Sequence, residues 1–239
     1  MQNCVTSTKR FYYSIVQVFR LIYTGEFKQI GVTLNVRALK YSSKWYRWIL
    51  PDLTWSIEED ESRVYLTFDD GPHPEITPYV LDILDKYGFK ASFFCIGDNV
   101  VKHSETYNEV LSRGHRVGNH TFNHLNGFQT SNSQYIDNVA KAAEVIDSTL
   151  FRPPYGRIND SQRGVVKKKY EIVMWDILTH DYSPRLNKSD CLQQITKLTK
   201  PGSIIVFHDS TKAQENLEYL LPKYCEFLAV NKYISCQLP

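Results

Sequence analysis

The sequence lacks several features that would decide its class at once. It has no long apolar run, no C-x-x-C pair among its five cysteines, and no large net charge, since 28 Lys and Arg residues balance 26 Asp and Glu residues to a formal +2. Without a C-x-x-C pair, a structural zinc or thioredoxin-like redox site is disfavoured. The near-neutral net charge lacks the excess of basic residues that attracts nucleic acid, so we expect no nucleic-acid partner.

The cysteines are too few and too scattered for a disulfide-rich secreted framework. Their number is odd, and we interpret them as ordinary thiols, some of them buried: Cys4, Cys95, Cys191, Cys225 and Cys236. Thiols of this kind favour a reducing compartment.

The N-terminal part contains a short apolar stretch at residues 11–19 that superficially resembles a signal peptide. Arg20 ends it far below the roughly 20 apolar residues that span a bilayer, and no small-residue cleavage site follows. We expect an amphipathic helix docked on the domain, with membrane-surface contact through residues 9–23 as the alternative. With no convincing signal or spanning segment, the cytoplasm is the favoured compartment.

The chain of 239 residues can bury one sizeable core but is too short for two ordinary domains. From about residue 63, short β-branched or aromatic runs alternate with longer polar-apolar stretches, which is typical of repeated βα units. We therefore predict an N-terminal extension at residues 1–60 and a main domain at residues 61–239.

The alternation predicts seven strands and six helices in that domain. The strands are expected at residues 64–68, 91–96, 115–118, 149–152, 171–175, 203–207 and 233–236. The helices are expected at residues 76–87, 105–113, 133–148, 160–169, 188–198 and 214–227. Gly88 and Gly114 stand where C-cap glycines belong, and Asn187 is a suitable N-cap. The pattern predicts an α/β fold of the barrel type, one strand short of the regular eight.

Polar clusters follow five of the predicted strands. They are Asp69 with Asp70, His120 with His124, residues 152–156, Asp176 with Asp181, and His208 with Asp209. Since the C-terminal ends of the strands share one face of a parallel βα barrel, we expect these clusters to converge there.

The acidic pair and the two histidines together suggest a metal site. Neighbouring residues on a strand point to opposite sides, so Asp69 and Asp70 cannot do the same job. His120 and His124 could share one face of a helical turn, and with one carboxylate they would leave coordination positions open for water and substrate. The alternative is that the carboxylates bind backbone amides and the histidines are surface groups; the convergence of the clusters favours the metal.

Four of these clusters also form a recognisable set of motifs. They are T-F-D-D-G at residues 67–71, H-T-F-N-H at 120–124, R-P-P-Y-G at 152–156 and F-H-D at 207–209. With them the chain resembles the polysaccharide deacetylases, the NodB-like family 4 carbohydrate esterases, over about residues 62–239. The resemblance implies a distorted (β/α)7-type barrel and a hydrolase of carbon-nitrogen, but not peptide, bonds that removes acetyl groups from N-acetylated sugars in a glycan.

The resemblance also implies a mechanism. Asp69 would be the general base, and Asp70, His120 and His124 would hold one divalent metal that polarises the acetamide carbonyl and activates water. One carboxylate with two histidines is a borderline-soft ligand set, so we favour zinc, with cobalt, nickel or iron as alternatives.

Further roles are implied for the later motifs. Arg152 would orient the base, His208 would protonate the leaving amine, and the backbone N–H of Tyr155 would stabilise the oxyanion, held in place by the two preceding prolines. The remaining family motif, D-x-x-D-W, is degraded here: Leu178 replaces its first Asp, and Tyr182 replaces its Trp. We align Asp181 with its second Asp as the partner of His208, with Asp176 as the competitor.

For several other histidine and tryptophan residues, the sequence predicts a position but no chemical role. His73 and His180 would line the groove, whereas His103 and His115 would be solvated. Three tryptophans are expected to pack the extension onto the barrel, with sugar stacking as the alternative: Trp45, Trp48 and Trp55.

Three alternative functions stay open. An O-acetyl glycan esterase passes through the same type of tetrahedral intermediate, and a small-molecule amidase of the same superfamily would fit the absence of an export signal. A carbohydrate-binding relic without activity is a third alternative, against which the complete set of base, ligands and acid argues.

Overall fold

A computed structural model describes residues 41–43, 47, 50–59 and 61–239. The predicted helix at residues 11–19, the membrane contact through residues 9–23, Cys4, Trp45 and Trp48 lie outside the described residues. The described residues belong to one compact unit, Tyr41–Pro239. Within them, no helix has both the length and the apolar character needed to cross a bilayer.

The described chain alternates strands and helices. The strands are β1 (Arg63–Asp69), β2 (Ala91–Cys95), β3 (Arg116–Asn119), β4 (Leu150–Phe151), β5 (Glu171–Ile172), β6 (Ile177–Leu178), β7 (Ile204–His208) and β8 (Ile234–Ser235). The helices are α1 (Ile76–Lys86), α2 (Gly97–Lys102), α3 (Ser104–Ser112), α4 (Asn132–Ala142), α5 (Asp160–Val166), α6 (Lys188–Leu198) and α7 (Gln214–Val230). A 3-10 turn spans Pro154–Gly156.

All the strand pairs are parallel, in the order β5-β4-β3-β2-β1-β7-β6, and β8 also pairs with β1. The sheet curls into a half-barrel, and in the described part of the chain no ladder joins its edge strands β5 and β6. This architecture confirms the expected α/β barrel type.

Strand β1 lies at the centre of the sheet and is buried along almost its whole length. It is apolar without strict alternation because both of its faces are covered, as in other parallel sheets. Val64, Leu66 and Phe68 pack into the main core beneath α1 and α7. Since side chains alternate along a strand, Thr67 and Asp69 face the opposite, concave side. The central strand therefore delivers Asp69 to the middle of the C-terminal edge.

The expected number of strands is wrong: the predicted strand at residues 171–175 is shortened to β5 (Glu171–Ile172), and a further strand that was not predicted, β6 (Ile177–Leu178), follows it. Thr54 forms a parallel bridge to Val173, with hydrogen bonds from the Thr54 N–H to the Ile172 carbonyl (3.0 Å) and from the Met174 N–H to the Thr54 carbonyl (2.7 Å). Residues 50–59 thus bond to the sheet, and the domain boundary between residues 60 and 61 stays a prediction.

Several local expectations can be compared with the structure. Gly88 and Gly114 have φ of 64° and 76°, as C-cap glycines require, and the Asn187 side chain accepts a hydrogen bond from the Asp190 N–H at 3.0 Å. The four described cysteines carry free thiols. Trp55 is buried in the core and meets Trp175 edge-on.

The expectation that His115 is solvated is wrong. Its side chain is 4% exposed, it packs edge-on against Phe93, and its Nδ1 accepts a hydrogen bond from the Ala91 N–H. Burial lowers the pKa of His115 to about 4, which keeps its imidazole neutral.

Candidate active site

The C-terminal ends of five strands meet along one edge of the sheet. Asp69 on β1 is the register partner of His208 on β7. His120 directly follows β3, and its N–H donates to the Cys95 carbonyl at the end of β2 (2.9 Å). The Arg152 N–H, just after β4, donates to the Asn119 carbonyl at 3.0 Å. The backbone ladder therefore assembles residues that are far apart in sequence.

Asp70, His120 and His124 form the one cluster among the described residues in which three or more His, Cys, Asp or Glu side chains could hold a metal. One ligand atom from each lies within 4.8 Å of the others. The Asp70 Oδ1 is 3.0 Å from the His124 Nε2 and 3.7 Å from the His120 Nε2. That oxygen is buried and makes no aligned hydrogen bond, so the ligand atoms face one another without satisfying one another. Two imidazoles and one carboxylate in this arrangement fit a divalent metal.

The outer nitrogens of both histidines are already engaged. His120 donates from Nδ1 to the Arg152 carbonyl at 2.7 Å, and His124 places its Nδ1 3.2 Å from the Tyr155 hydroxyl. Each Nε2 therefore faces Asp70. Hydrogen bonds at the other ring nitrogen orient metal-binding histidines in this way. Burial lowers the pKa of His120 to about 4, so its imidazole is neutral, the form that binds metal.

The Asp70 carboxyl is held in its ionised form. Burial alone would raise its pKa, but the neighbouring imidazoles of His124, His208 and His120 outweigh burial and lower the pKa. The residue has φ of 80°, and Asn99 donates from Nδ2 to its carbonyl at 2.8 Å. The cluster thus supplies one anionic and two histidine ligands.

Asp69 lies next to this cluster in a buried ion pair. Its Oδ1 accepts from the Arg152 Nη1 at 2.6 Å, and the Arg152 side chain is fully buried. The same Nη1 donates to the Thr67 hydroxyl, and the remaining nitrogens donate to the Val173 and Met174 carbonyls. Because every arm of the guanidinium is bonded, the carboxylate is compensated and fixed in direction.

His208 is paired with Asp181 through two contacts. The His208 Nδ1 donates to the Asp181 Oδ1 at 2.7 Å, and the His208 N–H donates to the Oδ2 at 2.8 Å. Burial by itself lowers the pKa of His208, but the charge and hydrogen bond of Asp181 outweigh burial and raise the pKa to about 9. The competitor, Asp176, instead contacts Arg47 at 3.0 Å and Ser203 at 2.9 Å.

The R-P-P-Y-G segment turns sharply beside the cluster. Tyr155 has φ of 59° and ψ of 10°, after Pro153 at φ of −71° and ψ of 132°. Its ring is 63% exposed and packs edge-on against His124. Among the described residues, the Tyr155 N–H makes no hydrogen bond, so this donor stays open.

Two further residues of the site carry no role in the motif interpretation. Thr67 lies two residues before Asp69 on the same face of β1, and this period of two could have revealed it as a partner of Arg152. Asp209 is buried behind Gly71 and accepts from the Thr77 hydroxyl at 2.5 Å. Burial is the largest of the effects that raise the pKa of Asp209 to about 8.

The chain can now be compared with known proteins. A family model described as polysaccharide deacetylase matches residues 56–172. A peptidoglycan-N-acetylglucosamine deacetylase of Bacillus cereus is 34% identical over 167 residues, which cover 66% of this chain and 77% of that protein. The chain belongs to the polysaccharide deacetylase family.

Other members of the family agree with this assignment. The peptidoglycan-N-acetylmuramic acid deacetylase PdaC of Bacillus subtilis is 32% identical over 160 residues, but the chain spans only 34% of that protein's length and matches over 64% of its own. A crystal structure of the Bc1960 peptidoglycan N-acetylglucosamine deacetylase superposes with a TM-score of 0.74 at 27% identity, over 81% of this chain and 94% of that one. The predicted reaction class, hydrolytic deacetylation of N-acetylated sugars, is confirmed by this membership.

Proposed function

We propose that this polysaccharide deacetylase cleaves the acetamide of an N-acetylated hexosamine within a glycan, with Asp69 as base and His208 as acid. The observation that carries the proposal is the pairing of β1 with β7, which sets the two groups side by side at the strand ends. Each is held by a buried partner of opposite charge, and the Asp70, His120 and His124 cluster lies beside them.

The residues divide the proton transfers between them. Asp69, directed by Arg152, takes a proton from the attacking water, whose oxygen bonds to the acetyl carbon. The Tyr155 N–H donates to the oxyanion that develops on the former carbonyl oxygen. The carbon-nitrogen bond then breaks as His208 gives its proton to the nitrogen, and the products are acetate and a free amine. The raised pKa of His208 keeps that proton available near neutral pH.

We further propose that zinc is the metal held by Asp70, His120 and His124. Imidazole and carboxylate ligands suit zinc, and three protein ligands are the number typical of its catalytic sites. When bound, the ion supplies a Lewis acid for the acetamide carbonyl and the attacking water. The neutral His120 and the ionised Asp70 are in the protonation states that binding needs.

A screen for released acetate tests the function. Purified protein with added zinc is given chitin oligomers, peptidoglycan, acetylated xylan and a set of small amides, beside the His120→Ala/His124→Ala variant as control. Release from the amino-sugar glycans by the wild type alone is expected. Release from xylan alone would indicate an O-acetyl esterase, release from small amides alone an amidase, and no release by zinc-loaded protein a binding relic.

The N-acetylglucosamine and N-acetylmuramic acid names of the relatives both denote N-acetylated hexosamines. Separate measurement of the two deacetylated sugars after peptidoglycan digestion would show which one this chain accepts. The cytoplasmic location and the membrane contact through residues 9–23 stay predictions, which fractionation of cells that express the full chain would test.

A further inference from the structure

The loop between the two ligand histidines is held in an unusual backbone conformation. Thr121 has φ of 63° and His124 has φ of 56°. The left-handed region is rare for residues other than glycine, above all for a β-branched residue such as threonine. Such residues persist only where their surroundings fix them. The loop must therefore be stabilised from outside.

One side chain from helix α4 supplies much of that support. The Asn138 Oδ1 accepts from the Phe122 N–H at 2.8 Å and from the Asn123 N–H at 2.9 Å. Its Nδ2 donates in return to the Asn123 Oδ1 at 3.0 Å. A single amide thus ties two consecutive peptide groups between the ligands to a helix that begins eight residues after the second ligand.

The opposite edge of the loop is held by the start of α2. The Gly97 N–H donates to the Thr121 carbonyl at 3.0 Å, and the Asp98 N–H donates to the Phe122 carbonyl at 3.0 Å. A side chain at position 97 would meet the Phe122 ring at 2.6 Å, so the approach is close. The Asn138 side chain therefore holds one side of the loop, and backbone N–H groups at the start of α2 hold the other side.

We propose that Asn138 is a positioning residue that sets the metal affinity of the site. The inference rests on the metal site of the proposed function. Without the Asn138 amide, the loop would populate conformations in which His120 and His124 do not point together, and the affinity falls in proportion to the fraction that is competent. Loss of outer partners of metal ligands typically weakens binding about 10 to 100-fold.

The test compares zinc dissociation constants, measured by competition with a chromophoric chelator, in four proteins. They are the wild type, Asn138→Ala, Asn138→Asp and the control Asp137→Ala, which changes an exposed neighbour on the same helix. Asn138→Ala is expected to bind zinc about 10 to 100-fold more weakly. Asn138→Asp should restore most of the affinity, because the carboxylate still accepts both N–H bonds and Asn123 can turn its amide to donate. Asp137→Ala should match the wild type.

Melting temperatures with and without zinc separate positioning from general stability. If Asn138→Ala lowers both melting temperatures equally and binds zinc as tightly as the wild type, the inference is overturned. If the wild type binds no zinc, the metal site itself fails and the inference with it. Should Asn138→Ala not fold, Asn123→Ala, which removes only the Nδ2 bond, decides the question: weaker binding supports the inference and unchanged affinity contradicts it.

Discussion

At the scale of single residues, two buried ion pairs would serve opposite tasks in the proposed mechanism. The guanidinium of Arg152 compensates the carboxylate of Asp69, which must accept a proton. The carboxylate of Asp181 stabilises the imidazolium of His208, which must donate one. Because Asp69 and His208 are register partners on neighbouring strands, the sheet places the proposed proton acceptor and proton donor side by side.

Asp69→Asn should keep the metal but lose most of the turnover. The amide preserves the shape of the side chain, but it cannot take the proton from water. The expected decrease in kcat is roughly 10² to 10⁴-fold, the usual contribution of a general base. Steady-state kinetics with elemental analysis of the same sample would measure both effects. Loss of metal from this variant would mean that Asp69 is a ligand and not the base.

Asp181→Asn should move the alkaline limb of the kcat/KM profile to lower pH. His208 must be protonated to act, and its pKa is raised to about 9 in large part by Asp181, so removing the charge lowers that pKa and activity is lost earlier as pH rises. Asp176→Asn is the matched control, because Asp176 contacts Arg47 and Ser203 instead. Metal content is checked in each variant. An unmoved limb in Asp181→Asn with a displaced one in Asp176→Asn would contradict the pairing.

At the scale of elements, periodicity identified the strands and helices that lie deepest in the core. Helix α6 has the predicted limits, β2 and α1 differ from theirs by one residue at one end, and β1 differs by one residue at each end. The pairing of residues 172–174 with Thr54 could not be predicted, because Thr54 is distant in the sequence. Helix α2 is only six residues long, too short to show a helical period, and it went unpredicted.

The residues of the candidate site likewise fall into those that the sequence could predict and those that it could not. Motif residues at strand ends were open to prediction, because the C-terminal ends of parallel strands share a face. The contacts of Asn138 were not, because they join a loop and a helix across 16 positions of the sequence. Asp209 stands inside a motif, but its burial behind Gly71 and its bond to Thr77 are tertiary features that the local sequence does not show.

The link between β7 and α1 through Asp209 and Thr77 predicts a pH-dependent stability. The pKa of Asp209 is raised from 3.8 to about 8 in the fold, mainly by burial, so between these values the folded chain holds a proton that the unfolded chain has released. Stability therefore falls as pH rises through this window, by up to about 1.4 kcal/mol per pH unit. Asp209→Asn keeps an acceptor for Thr77 without a charge to bury, and it should remove this contribution.

Urea unfolding of the metal-free protein from about pH 5 to about pH 9.5 would measure this contribution to stability. The stability of Asp209→Asn relative to the wild type should grow across the window and level off above pH 8. Asp147→Asn, at an exposed position, is the control and should leave the slope unchanged. Equal slopes for Asp209→Asn and the wild type would show that Asp209 is ionised in the fold.

At the scale of the whole molecule, the ligand cluster connects loops that follow different strands. Asp70 follows β1, whereas His120 and His124 follow β3, and β2 lies between them in the sheet. A metal bound to all three would therefore cross-link segments that separate when the chain unfolds. Binding at this site should contribute to the free energy of unfolding as well as to chemistry, because the unfolded chain has no preformed site.

Purified protein should bind about one zinc per chain and melt at a higher temperature with zinc than in excess chelator. At free zinc 100 times the dissociation constant, preferential binding to the fold contributes about 2.7 kcal/mol, which for a domain of this size corresponds to a rise of roughly 5 to 10 °C. Elemental analysis gives the stoichiometry and calorimetry gives the shift. His120→Ala/His124→Ala should lose the bound zinc, the zinc-dependent rise and the activity together, because it removes two of three ligands. Equal zinc content in this variant and the wild type would place the metal elsewhere in the chain.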